Sequence, residues 1–211
     1  VFGFCPYFFS HTAHIQLLIA GGIPLSLLMM HRLADDPGIR KGIALGLMIA
    51  GQALACAYYG IFAGLMVGYA ALFLAISRGL WRNRRYWIAL VLGTGVSVLC
   101  VVPFFMPFLD IQEGGFRRTI EDSLRFSANL ASYMASSAHA HRWLLKLSAS
   151  IGRWGEVLFP GLVATVLGLA GMWLAGLKPR PPDPLHPGRN DRETVLLYGS
   201  LGVLVLWASF G

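Results

Sequence analysis

The stretch GIALGLMIAGQALACAYYGIFAGLMVGYAALFLAIS, residues 42–77, decides the fold. Between Lys41 and Arg78 its thirty-six residues carry no charge. As one straight helix they would reach about 54 Å, at ~1.5 Å rise per residue. A bilayer's hydrocarbon core is ~30 Å thick and is crossed by roughly 20 residues. The run is therefore expected to double back as two spans, near 42–57 and 60–77. The break is read in Cys56-Ala57-Tyr58-Tyr59-Gly60. Two tyrosines suit the membrane–water interface, where ring and hydroxyl each find their medium. Gly60 is expected to let the chain turn. Gly60, Gly64 and Gly68 then recur every four residues, which stacks them on one face as a small-residue stripe for close helix approach.

Composition agrees with a chain that lives in lipid. Hydrophobic residues make up 56% and charged residues 13%, against about 25% charged in soluble proteins. The formal charge of +7 is not a nucleic-acid signature, because the basic residues sit in short connectors between apolar runs. That is how membrane orientation is encoded. Cys5, Cys56 and Cys100 show no metal-ligand spacing and read as small apolar residues. The chain opens on Val1 inside an apolar stretch and is expected to be a fragment of a longer protein that lacks N-terminal spans.

Outward from the hairpin, the reading is an all-α polytopic transmembrane bundle of about six spans, forming a single domain over 1–211. Span one runs near 12–30 and is expected to kink at Gly21, Gly22 and Pro24. Arg78, Arg82, Arg84 and Arg85, with Trp81, Tyr86 and Trp87, form an interfacial anchor after the hairpin. Span four, near 86–109, is expected to end at Pro103 and Pro107. An outer loop over 110–156 holds an amphipathic interfacial helix, read from Ile120, Leu124, Leu130 and Met134. Spans near 157–177 and 194–210 flank a loop at 178–193 with five prolines, which must be irregular.

The connectors after spans one, three and five hold three, four and four Lys/Arg, eleven of the seventeen. The positive-inside rule puts those connectors in the cytoplasm. His11, His14 and Gln16 at the start of span one then face outward. So do the Tyr58-Tyr59 turn and the loop residues Arg125 and Glu156. Polar groups inside membrane proteins are costly and tend to line cavities. These seven residues are the expected substrate-binding set at an outward-opening site. The bland alternatives are interfacial histidines satisfied by water, an N-cap carboxylate at Glu156, and an Arg125 that snorkels. No catalytic triad order, phosphate loop or H-E-x-x-H is present. The spacing gives no metal site, and the catalytic residue is unknown.

Several local patterns together resemble a segment of the bacterial polytopic glycosyltransferases of the GT-C superfamily. They are Pro6-Tyr7 with His11-x-x-His14-x-Gln16, Pro24-Leu25 with His31-Arg32, Gln52-Ala53-Leu54 with Tyr58-Tyr59-Gly60, and Glu156-x-x-Phe159-Pro160-Gly161. The resemblance covers roughly residues 1 to 175. It implies an enzyme of the bacterial inner membrane that moves a sugar from a polyprenyl-phosphate carrier to an acceptor on the outer face. Its partners would be the lipid-linked donor, membrane lipids and the missing spans of the same protein, with no nucleic acid. It also implies an acidic catalytic residue in a first outer loop, often with a divalent metal in the full-length enzyme. No residue of this chain matches that acid, and no cofactor is expected within the chain itself. Two other readings stay open: a transporter, favoured by the broken first span, and a non-catalytic scaffold or polymer-export subunit.

Overall fold

The computed structural model describes residues 6–113, 127–152, 157–177 and 190–210. Among these, every regular element is a helix. Three stretches are long and apolar enough to cross a membrane: Ile15–Asp35, Ala57–Ser77 and Arg84–Pro107. The chain divides into two compact units, one of Ile19–Phe116 with Pro181–Leu197, the other of Val1–Leu18, Arg117–Arg180 and Tyr198–Gly211.

The first unit is built on α3 (Gly22–Asp35), α4 (Ile39–Ala55), α5 (Ala57–Ser77) and α6 (Arg84–Glu113). The uncharged run does fold back within the expected break, at its first residue, Cys56, and without Gly60 as the turning residue. Cys56 is extended, with φ −154° and ψ 111°, and α5 begins at the next residue. Gly60 lies one turn inside α5 with its Cα against Ala53. It is needed there for close approach and not for turning. The expected stripe is reduced to that one glycine, since a Cβ added at Gly64 or Gly68 would meet nothing within 4 Å.

The tight seam runs elsewhere, between α4 and α6. A Cβ on Gly42 would collide with the carbonyl of Ala89, and one on Gly46 with the carbonyl of Gly93. Each helix thus offers two small residues four apart, so both pairs lie on one face and the backbones nearly touch. Away from the seam α6 faces outward. Val91, Val98 and Leu99 are exposed, and only 11% of its most apolar window is buried, as expected of a lipid-facing helix. Pro103 and Pro107 lie inside α6 and do not end it; membrane helices tolerate proline where other groups re-satisfy the freed carbonyls.

The core of this unit gathers Leu27, Met30 and Leu33 of α3, Leu45 of α4, Leu74 of α5 and Tyr86 of α6. The Tyr86 hydroxyl donates to the Ala71 carbonyl at 2.7 Å. At the far end, Arg78 is not the interfacial anchor its position in the basic run suggested. Its side chain is 6% exposed and pairs with Asp35 and Glu193, each at 2.6 Å. Glu193 also accepts from the Ser77 hydroxyl at 3.0 Å. One arginine thereby ties the end of α3 and the end of α5 to the start of the last helix, Asp191–Ser209. Burial alone would lower the Arg78 pKa, but the hydrogen bonds it donates to Glu193 and Asp35 outweigh it and the net direction is up.

The second unit contains α1 (Pro6–Ser10), α2 (Ile15–Leu18), α7 (Leu130–Met134), α8 (Arg142–Ile151) and α9 (Leu162–Leu177). The last helix, α10 (Asp191–Ser209), contributes its residues from Tyr198 onward. Asn129 caps α7, its side chain accepting from the Ser132 amide at 2.9 Å. Tyr133 donates to the Ser209 hydroxyl at 2.7 Å, and Ser148 to the Ala131 carbonyl at 3.0 Å. Of the expected amphipathic helix, Leu130 and Met134 fall in α7; Ile120 and Leu124 lie outside the described residues, as does the proline-rich loop up to residue 189.

Candidate functional site

The first span is broken, not merely kinked. α2 stops at Leu18, and α3 starts at Gly22 with Pro24 in its first turn, where a missing N–H costs nothing. The gap leaves backbone groups that water cannot reach in a bilayer. A side chain from α4 takes them up. Gln52 is 2% exposed. Its amide nitrogen donates to the Ile19 carbonyl at 2.7 Å, and its oxygen accepts from the Gly22 N–H at 2.9 Å. A side-chain amide carries its donor and its acceptor on two separate atoms, so it can reach both groups at once. A Cβ on Gly22 would strike the Gln52 side chain, so Gly22 is what lets the bridge close. A cleft of about 230 Å³ lies beside it, lined by Ile19, Gly22, Leu47, Met48, Gly51 and Gln52. In the sequence Gln52 entered only through the Gln52-Ala53-Leu54 pattern, and this role was not anticipated. The signal was available: a lone buried glutamine in an uncharged helix beside a Gly-Gly-x-Pro break.

A second cleft in the same unit, about 290 Å³, opens between α4, α5 and α6. Ile49, Ala53, Ile61, Val98 and Val102 wall it, and Gly60 forms part of its floor. Tyr58 and Tyr59 stand in the first turn of α5 between the lining residues Ala57 and Gly60. Tyr58 is 58% exposed, and Tyr59 is half-buried.

In the other unit, a cleft of about 310 Å³ is lined by Pro6, Phe9, Ser137, His141, Pro160 and Gly161. Gly161 has φ 102°, a left-handed backbone that favours glycine, and a Cβ there would press on the Pro6 ring at 3.3 Å. Ser137 donates to the Pro6 carbonyl at 3.1 Å. His141 is held edge-on to Phe159, ring centroids 5.1 Å apart, with Nδ1 2.9 Å from the Ser136 hydroxyl. That hydroxyl also accepts from the Ala138 N–H at 3.3 Å.

His11 and His14 do not line that cleft. His11 is half-buried and stacks on Tyr7 with centroids 4.2 Å apart. Its Nδ1 lies 2.8 Å from the Tyr7 carbonyl, which can only accept, so Nδ1 carries the proton. His14 and Gln16 are exposed. Arg125 and Glu156 lie outside the described residues. Among the described residues no group of three His, Cys, Asp or Glu converges as a metal site would require.

No family model, curated protein or solved structure matches the chain.

Proposed function

We propose that this chain is part of an integral membrane glycosyltransferase that moves a sugar from a polyprenyl-phosphate carrier to an acceptor on the outer face of a bacterial inner membrane. In this reading six helical spans cross the bilayer, with α4, α9 and α10 completing the three longer ones. The basic connectors lie in the cytoplasm. One observation carries the proposal. The residues on which the GT-C resemblance rests occupy backbone joints, where their particular chemistry is used. Gln52 bridges the broken first span, Gly60 seats α5 on Ala53, and Gly161 fits under Pro6 beside Phe159. A merely apolar chain has no need of those residue types at those positions.

The physics of a lipid-phosphate donor fits the same elements. The apolar cleft between α4, α5 and α6 has the walls an isoprenoid tail requires, and Tyr58 and Tyr59, beside it in the first turn of α5, are proposed to stand at the headgroup level. The phosphate leaving group needs hydrogen-bond donors or positive charge. His11, His14 and Arg125 are proposed to supply them, with Gln16 and Glu156 contacting the sugar. The catalytic acid, and any divalent metal it holds, belong to a loop outside these residues. The test uses the full-length enzyme. His11→Ala with His14→Ala should lower sugar transfer from the polyprenyl-phosphate donor at least tenfold while thermal stability stays within a degree or two. Full activity in a folded double variant would remove the histidines from the site.

The broken first span is the specific observation that favours a transporter. Against it, Gln52 already takes up the backbone groups on both sides of the break, so they are not offered to a substrate. A scaffold or polymer-export role predicts no lipid-phosphate binding at all.

A further inference from the structure

We infer that the end of the first unit where α4 and α6 begin is a binding surface for anionic phospholipid headgroups. The starting point is an electrostatic anomaly. A helix N-terminus carries partial positive charge and is stabilised by acidic residues. Neither α4 nor α6 has an acidic residue in its first turn. Arg40 and Lys41 stand there in α4, and Arg84 and Arg85 in α6. Cations in those positions weaken their own helices, so local stability does not explain them. The seam brings the two ends side by side, because Gly42 abuts Ala89 a turn inside each helix.

Most of this charge is not spent within the chain. Lys41 pairs with Asp36 at 2.6 Å, and Arg78 is buried with its two carboxylates. Arg40, Arg82, Arg84 and Arg85 are exposed and make no ion pair among the described residues. An external anion is the missing partner. Depth says which one. Trp81 is 60% exposed and stands edge-on to Trp87, ring centroids 5.3 Å apart, while Trp87 Nε1 donates to the Trp81 carbonyl at 2.9 Å. Indole rings of this kind favour the headgroup level. From Ile88 onward the outward face of α6 is apolar, with Ile88, Val91 and Leu92 exposed. The arginines therefore sit just beyond the hydrocarbon edge, level with lipid phosphates. Arginine binds a phosphate through two parallel N–H donors, and a soluble polyanion would have no use for the tryptophan pair.

The inference does not depend on the sugar-transfer reading or on which leaflet is involved. Native mass spectrometry of the purified full chain tests it, with phosphatidylglycerol and phosphatidylcholine as the probes. Wild type should retain phosphatidylglycerol in preference, and added salt should weaken that retention while leaving phosphatidylcholine unaffected. Each arginine removed should cost about fivefold in phosphatidylglycerol affinity, roughly 100-fold for Arg82→Ala, Arg84→Ala and Arg85→Ala together. The triple lysine variant should keep the preference in weaker form. Equal binding of the two lipids by wild type, salt-independent phosphatidylglycerol binding, or undiminished binding by the folded alanine variant would each overturn the inference. If the alanine variant does not fold, the salt titration and the lysine variant decide.

Discussion

Gln52 shows how one side chain can substitute for two missing backbone bonds. Gln52→Leu keeps the volume but leaves the Ile19 carbonyl and the Gly22 N–H without partners. Each buried group left unsatisfied costs about 1–3 kcal/mol, so a loss of about 2–6 kcal/mol is expected in a thermal or denaturant unfolding assay. Gln52→Glu separates bonding from size. The ionised carboxylate accepts but cannot donate, whereas the protonated acid does both. That variant should gain stability as pH falls, and a flat pH response would argue against the bridge. Arg78 is the opposite case, a charge that its surroundings cannot lose. Arg78→Met strands Asp35 and Glu193, at a cost of about 3–5 kcal/mol. Adding Asp35→Leu and Glu193→Leu should recover most of it, since a whole buried ion cluster is often replaceable by apolar residues. Because the Arg78 pKa is raised, its contribution is fully present at every working pH and would be lost only above the folded value. Asp36 is held below the usual carboxylate range by its hydrogen bond and charge pairing with Lys41. That surface pair contributes above the unfolded pKa and fades as pH falls through the lower folded one.

At the scale of elements, the α4–α6 seam makes the clearest contrast. Gly46→Leu drives a side chain into the Gly93 carbonyl, which cannot move aside without separating the helices. Gly64→Leu enters open space. The first should lower the melting temperature sharply, the second hardly at all; equal effects would mean that the seam is not where the helices close. Both glycine patterns were visible in the sequence as spacings of four, yet spacing alone does not say which helix pairs with which. Gly60, Gly64 and Gly68 were the more conspicuous run, while Gly42 and Gly46 needed Ala89 and Gly93 as partners nearly fifty residues away. The hairpin itself was legible, because an uncharged run longer than a bilayer must fold back. Its break was expected within Cys56 to Gly60, and the chain turns at the first of those residues, Cys56, with no need of the glycine, since a single extended residue suffices and leaves no compositional mark. The role of Arg78 was hidden for a related reason. In sequence it is the first of four arginines, and only the arrival of Glu193 from more than 100 residues away distinguishes it.

For the whole molecule, helical class and membrane character follow from composition and run length, and three stretches are long and apolar enough to cross a membrane. The expected substrate-binding residues are less legible, because they fall in different compact units: His11, His14 and Gln16 in one, Tyr58 and Tyr59 in the other. A bundle that receives a polyprenyl-phosphate lipid, as proposed, should retain that lipid in competition with an ordinary phospholipid. The full-length protein, purified and exposed to equal amounts of undecaprenyl phosphate and phosphatidylglycerol, should hold undecaprenyl phosphate through high-salt washing that strips phosphatidylglycerol. Val98→Trp, which fills the cleft between α4, α5 and α6, should abolish that retention without unfolding the protein. Release of both lipids at the same salt concentration, with Val98→Trp behaving as wild type, would contradict the claim.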